Sequence, residues 1–82
     1  MTRLFVENVH RIASRPWIFV TGQLEGDALQ IGDELTVVQN GAPVASAVVR
    51  SIELHGTSAL TTIAVDAAFA TSIGEGSVLT RG

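Results

Sequence analysis

The chain reads as an all-β domain, a small closed barrel of six antiparallel strands. Three observations predict this. Apolar residues recur mostly at every second position rather than at helical spacing. Glycine turns punctuate the apolar stretches, most clearly in residues 21–37, TGQLEGDALQIGDELTV, where Gly26 and Gly32 are each followed by Asp. No segment combines ten or more residues of helical periodicity with capping residues. Closure is expected because a small soluble protein must protect its sheet edges, and a closed sheet has none.

The elements follow in order. Residues 3–12, rich in Phe, Val and Leu, form the first strand. Ser14-Arg15-Pro16 ends it, since proline lacks a ladder donor and restricts its predecessor. Residues 17–25 form the second strand. Gly26-Asp27 turns the chain, Leu29 and Ile31 continue briefly, and Gly32-Asp33 turns it again. Residues 34–39 form the third strand, followed by Asn40-Gly41, the strongest short hairpin signal in the chain because both residues tolerate positive φ. Residues 43–55 return as a long fourth strand bent near its middle. Gly56-Thr57-Ser58 turns into a fifth strand over residues 59–66. Residues 67–76 connect, with one helical turn at 67–70, to a closing strand at 77–80. No domain boundary, linker, repeat or low-complexity tract interrupts this single domain over residues 1–82.

Alternation sorts the faces. On the second strand Ile18, Val20 and Leu24, with Gly22, point to the core; Trp17, Phe19, Thr21, Gln23 and Glu25 point outward. On the fourth strand Val48, Ile52 and Leu54 point inward with Arg50 as the odd member, and Val49, Ser51 and Glu53 point outward. The small residues of TSALTTIAVDAAFATS suit tight barrel packing or a flat association surface.

Composition narrows the function. The chain has 82 residues, 46% hydrophobic and 16% charged, so it folds and leaves some apolar surface for a partner. Its net charge is −3 and its basic residues, all arginines, are scattered, which opposes strong nucleic-acid binding. Absent cysteine excludes disulfides, thiol catalysis and cysteine metal sites. No apolar run approaches the roughly 20 residues that span a bilayer, and MTRLFVENVHR lacks the apolar core of a signal peptide. A cytoplasmic protein with no membrane partner is expected. The lysine-free, Ala- and Arg-leaning composition suggests a GC-rich bacterial genome as the expected source.

Five segments in register, FVENVHRI, FVTGQLEG, LQIGDELTV, VVRSIELH and IGEGSVLTRG, resemble the second domain of translational GTPases of the elongation factor Tu type, here as a freestanding domain. The resemblance covers nearly the whole chain and implies that family's Greek-key-like barrel. It also implies an outer groove for the terminal adenosine of aminoacyl-tRNA, with Ile12, Phe19 and Glu53 at groove-lining positions. The departures are specific. No G-x-x-x-x-G-K-[ST] phosphate loop is present, so the chain alone does not hydrolyse GTP. The stretch after His55 is shorter than in the family, and Ser14-Arg15-Pro16-Trp17 replaces its glycine-rich approach to the second strand. Gln23 stands where the family often has a basic residue, and His10 where it has phenylalanine.

The expected function is a non-enzymatic binding module. Protein–protein contact through Trp17 and Phe19, with another protein or a second copy, is the first reading. Recognition of an RNA or aminoacyl-tRNA end through Ile12, Phe19 and Glu53 is the alternative. Structural explanations stand beside both: the rings pack under a loop, and Glu53 is a solvated strand carboxylate. No catalytic residue, metal ligand or cofactor is assigned. His10 and His55 are the residue type suited to general-base work, but no nucleophile elbow or paired carboxylates accompany them. The Gly-Asp pairs read as turn chemistry, and Asp33-Glu34 with Glu25 as turn and edge solubility rather than a cation site.

Overall fold

The computed structural model describes residues 1–11, 16–53, 60–69 and 72–81. The strands are β1 (Thr2–Arg11), β2 (Trp17–Gly26), β3 (Glu34–Gln39), β4 (Ala42–Val48), β5 (Ser51–Glu53), β6 (Leu60–Asp66) and β7 (Val78–Arg81). All seven lie in one sheet, ordered β4-β3-β7-β1-β2-β6-β5, and every neighbouring pair is antiparallel. No helix among the described residues is long and apolar enough to cross a membrane.

β4 and β5 replace the single strand expected over residues 43–55. Val49 and Arg50 separate them, and their amides serve different strands. Val49 N–H donates to the Asp33 carbonyl (2.9 Å), beside β3, whereas Arg50 N–H donates to the Ala64 carbonyl (2.8 Å) on β6. The two end strands of the sheet are thus joined by two residues, so the sheet must curl. Its inner face buries an entirely aliphatic cluster that includes Leu4, Ile18, Val20, Leu35, Ile63 and Leu79.

The bend also corrects the face assignment. Ala47 and Val49 are fully buried, Val48 is half-buried and Arg50 is exposed, so Val49 rather than Val48 or Arg50 points inward. Past the bend Ile52 packs against the core. Odd positions face in before Val49–Arg50 and even positions after it, because the bend adds one step to the alternation. Leu54, His55 and the Gly56-Thr57-Ser58 turn lie outside the described residues, as do Ser14 and Arg15. Two smaller differences concern connections. Leu29 and Ile31 form no strand: Leu29 is buried and Ile31 is 68% exposed. The expected helical turn is a short 3₁₀ turn, Ala67–Phe69, anchored by Ala67 N–H donating to the Pro16 carbonyl.

β1 carries a bulge of its own. Its register with β2 shifts between Val6 and Asn8, leaving Glu7 extra. Leu4 and Val6 face inward before it, and Val9 packs against the core after it. Opposite Val6 stands Gly22. A Cβ on Gly22 would lie 1.9 Å from the Phe5 carbonyl oxygen, so glycine alone allows the two backbones to approach this closely. The β3–β4 hairpin turns through Asn40 (φ 52°) and Gly41 (φ 80°), the paired positive values of a two-residue turn matched to strand twist.

A polar network fastens the chain ends to the β2–β3 connection. Arg81 donates from Nη1 to the Asp33 carboxylate and from Nη2 to Thr2 Oγ1 (3.2 Å). Thr2, fully buried, donates to the Asp27 carbonyl (3.1 Å). Asp33 also accepts from the Gln30 amide (2.8 Å), so one carboxylate both shapes the turn and holds the last strand.

Two stability outcomes are expected. Gly22→Ala should destabilise by roughly 2–4 kcal/mol, because backbone must move to admit the methyl; urea unfolding would show a lowered midpoint. Arg81→Ala should cost about 1–3 kcal/mol by leaving Thr2 and Asp33 without their charged donor. Arg81→Lys should restore only part of that, since an ammonium cannot reproduce the two-pronged donation.

Candidate functional site

The outer face of the sheet is built by the residues that alternate with the core. On β2, Ile18 and Val20 are fully buried and Gly22 is buried, while Trp17, Phe19 and Thr21 are half-buried and Gln23 and Glu25 exposed. The strand faces expected here are therefore the ones observed. Cross-strand pairing then sets the neighbours. Phe19 lies opposite His10 on β1 and Ala64 on β6, and Ala64 lies opposite Ser51 on β5. Thr21 lies opposite Asn8 and Thr62, and Thr62 opposite Glu53. Residues opposite each other share a face.

Trp17, Phe19 and Glu53 are thus on one outer surface. Trp17 and Phe19 are two positions apart on β2. Glu53, exposed, sits two strands from Thr21, about 10 Å at the usual strand spacing. Ile12 lies outside the described residues. Trp17 is opposite Asp66, whose carboxylate accepts from Arg50 Nη2 at 3.2 Å. That pair is exposed on both sides and contributes little to stability. The Thr21 and Thr62 hydroxyls share a hydrogen bond of 2.8 Å across β2 and β6. Thr62 and Ala64 are buried despite facing outward, so the accessible part of this surface follows β1 and β2.

One residue was not singled out from the sequence. Phe5 is half-buried and pairs with Gln23, which places it on the same outer face as Phe19. The first strand alternates Leu4, Phe5, Val6, all apolar, so its pattern does not say which members face out. The three aromatic side chains described, Phe5, Trp17 and Phe19, all stand outside the buried cluster, which is Leu, Val, Ile and Ala throughout.

Away from this face, a cleft of about 250 Å³ is lined by Gln39, Asn40, Glu75, Gly76 and Ser77. Its polar groups largely satisfy one another: Gln39 Nε2 donates to the Ser72 carbonyl and Ser77 Oγ, and Gly74 N–H donates to the same hydroxyl (3.0 Å). It contains none of the aromatic residues. Among the described residues no group of three or more His, Asp or Glu is arranged to hold a metal ion.

Compared with models of known protein families, with curated proteins and with solved structures, the chain matches none. The chemistry of this face therefore rests on its own geometry: half-buried rings flanked by hydroxyls and by exposed carboxylates, Asp66 opposite Trp17 and Glu53 beyond Thr62. Replacing Thr21 by valine should cost about 1 kcal/mol by removing the hydroxyl–hydroxyl hydrogen bond that links β2 to β6. Thermal unfolding of Thr21→Val against the parent measures this.

Proposed function

We propose that this chain is a non-enzymatic binding module whose outer β1–β2 face docks another protein. The carrying observation is the placement of the aromatics. A small chain with a scarce aromatic supply would gain most stability by burying those rings in its core. Here all three described rings lie on the outer face, leaving an aliphatic interior. Aromatic rings on a surface strand offer large contact area at low side-chain entropy cost, which is why they dominate binding hot spots.

We further propose that the curled sheet closes as a six-stranded barrel of the elongation factor Tu second-domain type, with β4 and β5 as halves of one bent strand. The opposed amides of Val49 and Arg50, bonded to Asp33 and Ala64, support this reading. Closure would make β2 a strand on the outer wall of a rigid scaffold, suited to presenting Trp17 and Phe19 in fixed positions.

Pull-downs from the native host with the parent chain and with a Trp17→Ala/Phe19→Ala variant test the docking reading. A specific partner is expected on the parent, with at least about a thirty-fold loss of affinity in the variant, the effect of removing a hot spot worth about 2 kcal/mol. Retention of that partner at equal affinity by a correctly folded variant would refute it. Light scattering on the same pair separates a partner protein from a second copy.

The alternative, an RNA or aminoacyl-tRNA end, is favoured by one observation: Phe19 and Glu53 share the outer face, offering a stacking ring and a carboxylate for a ribose or base. NMR titration with a short CCA-ended oligonucleotide decides it. Shifts centred on Phe19 and Glu53 support it; none at millimolar ligand ends it.

A further inference from the structure

The edge of β4 stays open although the bend at Val49–Arg50 curls the sheet, because among the described residues β6 pairs with β5 and not with β4. Among the described residues β4 pairs only with β3 and stands at one end of the sheet order. Ala42, Pro43, Val44 and Ser46 are exposed, Val44 to 50%. Residues 36–49, TVVQNGAPVASAVV, contain no charged side chain. Soluble proteins commonly guard such an edge with lysine or another charge, and here there is none. The side chains along it are small, so another strand meets neither bulk nor like-charge repulsion.

Two other devices occupy the edge. Register between β3 and β4 shifts where Val37 pairs with Ala45 and Val38 with Pro43, so Val44 is an extra, bulged residue. The position of Pro43 is more telling. A two-residue turn makes its flanking residues, Gln39 and Ala42, a hydrogen-bonded pair, and alternation makes the next pair, Val38 and Pro43, a non-hydrogen-bonded one. The backbone groups of that next pair face away from each other. On β4 they face the open side of the sheet. Proline here costs the hairpin no hydrogen bond and removes a donor from the exposed edge.

We infer that Pro43, with the bulge at Val44, closes the β4 edge to a second copy of this chain, and that the edge pairs antiparallel with its own counterpart once Pro43 is replaced. A second copy is the occupant because an uncharged edge of small residues is compatible with itself, and a two-fold axis brings identical edges together in antiparallel register. The inference does not depend on the docking role of Trp17 and Phe19.

The test uses the full chain carrying Trp17→Ala, so that association through the aromatic face is removed. Pro43→Thr and Pro43→Lys are added to that parent, and their masses are followed by light scattering over a wide concentration range. Pro43→Thr restores the donor on a strand-favouring residue and should self-associate about ten-fold or more tightly than the parent. Pro43→Lys restores the donor but adds like charges across the pair and should keep the parent's mass. Hydrogen exchange of the 42–48 amides should slow with concentration in Pro43→Thr alone. A folded Pro43→Thr that keeps the parent's mass and exchange at all concentrations overturns the inference, as does association of Pro43→Lys equal to that of Pro43→Thr. Should Pro43→Thr not fold, Pro43→Val is read by the same two measurements.

Discussion

At Gly22 the backbones of β1 and β2 come so close that no side chain fits between them, and the sheet is organised around this approach. β2 has β1 on one side and β6 on the other, so it sits inside the sheet and fixes the direction of both neighbours. The tight approach occurs beside the β1 bulge, where an extra residue increases local twist. A twisted, curled sheet can enclose its own inner face without a covering helix. A flat sheet of the same strands would leave Ile18, Val20 and Ile63 against water.

Enclosure by curling limits what the interior can hold. The core cluster is aliphatic throughout, and at Gly22, where the β1 and β2 backbones come close together, no side chain fits at all. The described rings stand half-buried on the other side of the sheet. Core packing and surface chemistry are therefore two consequences of one geometry. The same strand supplies Ile18 and Val20 to the interior and Trp17 and Phe19 to the exterior, so anything that shifts the register of β2 disturbs both together.

Curling also brings the chain ends to the β2–β3 connection. Arg81, Asp33 and Thr2 are far apart in sequence, the partners of the ion pair lying 48 positions apart, yet they form one network in a partly buried setting. It closes the end of the sheet with charge and hydroxyl groups, whereas the β4 edge is closed with proline and a bulge. The two devices suit their places: the first ties β7 and β1 to a loop, and the second lies on a side where no described strand pairs with β4.

Alternation within a strand is local, and it was legible in the residues themselves. That made the all-β class, the inward set of β2, the outward Trp17 and Phe19, and the Asn40-Gly41 turn readable in advance. What passes from strand to strand was not. The extra steps at Glu7, Val44 and Val49–Arg50 change which face a side chain takes, and they arise from pairing with another segment of the chain. Hence Val49 exchanged places with Val48, Phe5 joined the outer face, and Arg81 found Asp33. Sequence alone determined the period of each strand; tertiary pairing decided its phase, because register is a property of two chain segments and not of one.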